Sequence, residues 1–136
     1  MLATLRLVFA AMTLGLAGAG LLAPAPLSAQ DAVEARDYEC FVLLQERRNG
    51  IAANASLDPA QRAQIINNLT IISTYYAGII SRHPYNQVIS NLASARQQIA
   101  AATPEQRDAF ATQCTNRYLA MLEALTTNSA HAAPQG

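Results

Sequence analysis

The run Gln61–Ser81, QRAQIINNLTIISTYYAGIIS, decides how this chain folds. Its large apolar residues recur at positions 65, 66, 69, 72, 76, 79 and 80. At about 100° per residue these fall within an arc of roughly 140°, the broad apolar face of an amphipathic helix. Ile71 and Tyr75 lie off that arc and form a second, narrower stripe. A helix of this length with two apolar stripes is expected to be the central strut of a small all-α domain.

Working outward, Asp58-Pro59-Ala60-Gln61 starts this helix: Asp58 as N-cap, Pro59 at the first helical position and Gln61 where a capping-box partner belongs. His83-Pro84 ends it, because proline restricts the residue before it and donates no backbone hydrogen bond. A third segment, about Tyr85 to Ala102, repeats the helical spacing with Tyr85, Val88, Ile89, Leu92 and Ile99. Thr103-Pro104-Glu105-Gln106 is a second and stronger start signal. The helix it opens carries Phe110, Cys114, Tyr118, Met121 and Leu125 on one stripe and is expected to run to about Thr126.

Upstream, a first helix is expected from about Ala32 to Asn49, its apolar block Cys40–Leu44 closed by Asn49-Gly50 as a left-handed stop. Its acids Asp37, Glu39 and Glu46 read as a solvated face. Residues 127–136 contain no large apolar residue and are expected to be a disordered tail. No alternating run bounded by turns predicts a strand. The four helices with short connections predict an up-down-up-down bundle over residues 30–126.

The N-terminus has one cation, Arg6, then an uncharged apolar run from Leu7 to Ala23 broken by Pro24 and Pro26, and Leu27-Ser28-Ala29 as a cleavage site. That layout predicts a secretory signal peptide over residues 1–29 and an exported, periplasmic or secreted product. Cleavage after Ala25 would put Pro26 behind the scissile bond, so the Ala29 site is preferred. A retained anchor is the competing reading, but a run of 17 residues containing Gly15, Gly18 and Gly20 suits a signal core better than a span. In an exported chain, two cysteines, Cys40 and Cys114, imply one disulfide. Both lie mid-helix on inward stripes of helices that are antiparallel neighbours in this topology. Closing so long a loop stabilises by on the order of 4 kcal/mol.

The two helix starts, Leu57-Asp58-Pro59-Ala60-Gln61 and Ala102-Thr103-Pro104-Glu105-Gln106, resemble each other. They also resemble the LTxxQ motif of the small, exported, all-helical Spy and CpxP chaperone-like proteins. The resemblance covers the ten residues just quoted and departs where Asp58 replaces Thr and Ala102 replaces Leu. Two independent capping boxes account for both.

Function is constrained mainly by exclusion. Nine arginines, no lysine and nine acids are scattered without a basic stripe, so nucleic-acid binding is not expected. The two histidines, His83 and His131, sit at a helix end and in the tail, giving no nucleophile–base pair. No metal-ligand spacing and no cofactor motif is present. These readings favour a non-enzymatic exported protein acting by contact with another envelope protein, chaperone-like or envelope-associated. Ile71, Tyr75 and Tyr85 are its expected contact residues. The alternative is a carrier of a small apolar ligand, its cavity lined by Tyr76, Tyr118 and Met121.

Overall fold

The structure, a computed structural model, describes residues 29–131, with side chains from Gln30 to Thr127. The expected signal segment therefore lies outside the described residues, apart from Ala29. Four helices follow one another: α1 (Ala29–Ala53), α2 (Pro59–Ile80), α3 (Tyr85–Ala101) and α4 (Pro104–His131). No strand occurs among the described residues.

Cross-helix contacts fix the directions. Gln45 and Arg48 of α1 meet Ser73 and Thr70 of α2, so those two helices are antiparallel. Asp37, Cys40 and Arg47 meet Arg117, Cys114 and Asp108, so α4 is antiparallel to α1 as well. Glu34 takes a hydrogen bond from Gln87 at the start of α3, which packs along α1 in the parallel sense and brings Ala95 and Ile99 into the same core as Val42 and Leu43. The molecule is an up-down-up-down four-helix bundle.

The helix at its centre is α1, not the long amphipathic run of α2. Tyr38, Cys40, Val42, Leu43 and Leu44 are buried within two turns of α1, whereas α2 buries Ile72, Ser73, Tyr76 and Ile80. Such dense burial needs partners on several sides. One core joins Tyr38, Val42 and Leu43 to Ile80, Ala95, Ile99 and Ala111; the other joins Cys40 and Leu44 to Ile72, Tyr76 and Cys114. The Cys40–Cys114 disulfide stands in the second, with the two Cα atoms 5.6 Å apart.

Local signals behave as their chemistry dictates, with three exceptions, the first being that Gln61 returns no bond to the Asp58 amide, so the expected capping box there is only a cap. Asp58 accepts from the amides of Ala60 and Gln61, and Thr103 and Gln106 exchange both hydrogen bonds of a capping box. The Asn49-Gly50 stop, however, is overridden: α1 runs on to Ala53 and no described residue has a positive φ. Four more helical residues place the half-buried Ile51 in the groove lining with Leu43, Ile65 and Leu69, a gain the local stop signal does not register. Likewise α4 continues past Thr126 to His131, since no breaker occurs before Pro134. Residues 127–131 are thus helical where a disordered tail is expected, and residues 132–136 lie outside the described range.

Candidate functional site

Two of the helices are tied together at one level, beside an open groove. Tyr76 of α2 is fully buried and its hydroxyl donates to the Cys114 carbonyl of α4 at 2.8 Å. On the Ala53 side of that joint lies a groove of about 790 Å³ between α1, the first half of α2 and the start of α4. Its apolar lining is Leu43 and Ile51 of α1 with Ile65 and Leu69 of α2. Ion pairs Arg47–Asp108 and Glu46–Arg107 lace α1 to α4 along one rim. Arg107 also donates to the carbonyls of Ala100 and Ala102, which holds the α3–α4 connection against that rim. Gly50 lies in the groove wall, and a Cβ added there would meet nothing within 4 Å.

A groove of this volume with an apolar floor and a charged rim lies within the size range of binding sites. It is open to solvent, since Gly50, Asn54, Pro104 and Asp108 are exposed. It offers shape and apolar area rather than reactive groups. Both cysteines are consumed in the disulfide, and no cluster of three or more His, Cys, Asp or Glu suited to a metal ion occurs among the described residues.

At the opposite end lies a polar cluster. Asp37 is 5 % exposed, so the solvated face expected of α1 is interrupted there. Arg117 Nη2 donates to its Oδ2 at 3.4 Å, and Nη1 approaches Oδ1 at 2.6 Å without hydrogen-bond alignment, which leaves Oδ1 with no hydrogen bond. The packing of α4 on this face of α1 covers the carboxylate. Burial pushes the Asp37 carboxyl above the usual range, and the nearby Arg117 only partly offsets it. Glu39, half-buried rather than solvated, is raised by burial too, while Glu46 is exposed as expected. His83, at the α2–α3 turn, places Nδ1 3.3 Å from Glu34 and its ring 5.9 Å from that of the buried Tyr38. The Tyr38 phenol is likewise raised, chiefly by burial.

The raised Asp37 pKa has a definite sign. A carboxyl that titrates higher in the fold than in the unfolded chain favours folding while protonated, and that contribution is lost as pH rises through the folded pKa. Asp37→Asn is therefore expected to be at least as stable as the wild type at about pH 7, its advantage shrinking towards about pH 4. Arg117, about a third exposed, remains hydrated in the variant. Melting temperatures across that range check this, and a loss at pH 7 would mean that the ion pair outweighs the burial cost.

The residues expected to form a contact surface are not brought together. Ile71 is exposed beside Thr70, which bonds Arg48 late in α1, and Tyr85, 81 % exposed, precedes Gln87, which bonds Glu34 early in α1. Fourteen helical residues, about 21 Å, separate those levels. Tyr75 is half-buried, edge-on to Tyr76 at 4.9 Å and 5.5 Å from Tyr118. Of the three residues expected to line a cavity, Tyr76 is fully buried with Tyr118 packed against its cluster, Met121 is half-buried, and none of them lines the groove. The groove is lined instead by residues from the opposite half of α2 and from the helix ends, which periodicity marks as core. Gly50, which the sequence marks as a helix stop, instead leaves an open stretch of the groove wall.

No protein family, no curated protein and no solved structure matches this chain.

Proposed function

We propose that this is an exported, non-enzymatic binding protein that acts by contact, taking an apolar segment of an envelope protein into the groove between α1, α2 and α4. The observation that carries the reading is the groove: an apolar floor of Leu43, Ile51, Ile65 and Leu69 beside a rim of paired charges. An open trough of this kind suits the side chains of a helix or extended segment laid along it. The Cys40–Cys114 disulfide supports export, as such bonds persist in oxidising compartments. The volume also falls in the range of small-ligand sites, which keeps an apolar-ligand carrier as the second reading.

Gly50→Leu separates binding from folding. The new side chain enters the open groove, and replacing a helical glycine raises stability by about 0.5–1 kcal/mol. Affinity capture from envelope extract with the oxidised protein should then retain a partner that the variant loses by about tenfold or more, a difference of roughly 1.4 kcal/mol. Equal capture by both chains sinks the groove reading. A small apolar molecule found by native mass spectrometry in the wild type and missing from Gly50→Leu would give the carrier reading instead.

A further inference from the structure

The groove and two exposed leucines belong to one face of α4. Pro104 and Asp108 line the groove, and Thr112 and Thr115 line a cleft of about 180 Å³ that continues it, sharing Arg47 and Leu69. Leu119 and Leu122 follow at the same helical spacing and are exposed. At about 100° per residue these positions of α4 fall within an arc of roughly 80°. The stripe therefore begins beside an apolar groove and ends on two apolar knobs, with threonines between. One chain cannot bring its knobs to its own groove, because Pro104 and Leu122 lie about 27 Å apart along a single helix.

We propose that a second copy supplies the match: two chains pair through α4 about a two-fold axis beside Thr112, each seating its Leu119 and Leu122 in the other's groove. The inference rests on the same groove as the binding reading and names what fills it while no other partner is bound. Register is the first argument. Asp108 is level with Arg47, and Thr70 with Arg48. Counted along the helices from those pairs, Ile51 and Ile65 of the groove floor stand level with residues 102–104 of α4, and Leu69 with Gln106. A two-fold axis at Thr112 sends Leu122 of the second copy to the level of Ala102 and its Leu119 to that of Glu105. The two leucines thus arrive at the apolar floor. Charge is the second argument. The same axis carries Glu123 of the second copy to the level of Ala101, between the Ala100 and Ala102 carbonyls to which the Arg107 guanidinium donates. Glu123 is exposed and Arg107, beside Glu46, is 34 % exposed, so the two chains exchange ion pairs there. Asp108 is already matched by Arg47, and Glu105 bonds its own amide and Thr103 at the helix start. Arg117, which the axis brings level with Arg107, lies on the opposite side of α4, paired with Asp37. An isologous contact of this kind closes on itself and covers both grooves and both pairs of leucines at once.

Analytical sedimentation of the oxidised protein should show a reversible dimer with a dissociation constant in the micromolar range or tighter. Leu119→Glu together with Leu122→Glu should raise that constant about a hundredfold or more, since each leucine withheld from an apolar site forfeits roughly a decade. The melting temperature of this double variant, measured as a monomer, should match that of the dilute wild type, because both positions are exposed. Gly50→Leu, whose new side chain enters the groove, should weaken the dimer about tenfold or more. The decisive arm mixes the two variants. One keeps its leucines and the other its groove, so the mixed pair retains one of the two reciprocal contacts. It should associate about tenfold more tightly than either variant with itself. The proposal is overturned if the wild type is monomeric at every concentration reached, if Gly50→Leu dimerises as tightly as the wild type, or if mixing restores nothing. A monomer that captures a partner lost by Gly50→Leu would overturn this inference alone and leave the groove to a foreign segment. A dimer that passes all three arms and captures nothing would uphold it and overturn the foreign partner.

Discussion

Replacing Cys40 and Cys114 together by alanine is expected to lower stability by about 4 kcal/mol and the melting temperature by roughly 20 °C. The bond closes a loop spanning a sequence separation of 74 residues, more than half the chain, so the unfolded ensemble gains much freedom without it. Domains of this size are stable by only about 5–15 kcal/mol in total, which leaves the variant close to its limit. The loss should also be uneven. Besides the disulfide, α4 meets α1 through Ala111 and the half-buried Phe110 and through three ion pairs, two of them partly exposed, and pairs of that kind contribute little, whereas α1 buries Tyr38, Val42, Leu43 and Leu44. Amide exchange in α4 should therefore accelerate more than in α1. Thermal unfolding with the bond intact, reduced and deleted checks the magnitude, and a shift of only a few degrees would show that packing alone closes the bundle.

Tyr76 is the second sensitive point, and its two parts separate. Tyr76→Phe is expected to cost about 1 kcal/mol, the worth of one hydrogen bond. The Cys114 carbonyl it releases lies inside α4, where the helix supplies a donor of its own. Tyr76→Ala should cost about 3–5 kcal/mol, because the ring is fully buried and contacts Tyr75 edge-on within the disulfide-containing core. Denaturant unfolding of both variants measures the difference. A small cost for Tyr76→Ala, with a ligand taken up in its place, would instead mark the ring as the lining of a cavity. Burial pushes the Tyr76 phenol up to about 12. The fold thus favours the protonated ring, and this contribution declines as pH rises through that value.

Helix starts were the most legible features, because a cap is a contract among residues three apart. The box of Thr103 and Gln106 and the cap of Asp58 form as their side chains require. The disulfide was readable for a related reason: two cysteines, each on an inward stripe, leave one intramolecular pairing. Stops were less legible. Asn49-Gly50 permits a turn but does not compel one, and the burial of Ile51 decides against it.

The candidate sites were hidden for a geometrical reason. The groove lies where the end of α1, the first half of α2 and the start of α4 meet, and that meeting does not appear in the apolar period of any one of them. The surface apolar residues are similar, because Tyr85, Ile89, Leu119 and Leu122 carry the same spacing as core residues yet stay exposed. Asp37 shows the converse, a charged position that α4 happens to cover. Local periodicity, caps and cysteine count, all properties of residues a few positions apart, settled by themselves that this chain makes four stapled helices in alternating directions. Which helix stands at the centre, where the bundle opens and which apolar residues stay in water were decided only in three dimensions, because burial depends on the level at which one helix meets the next.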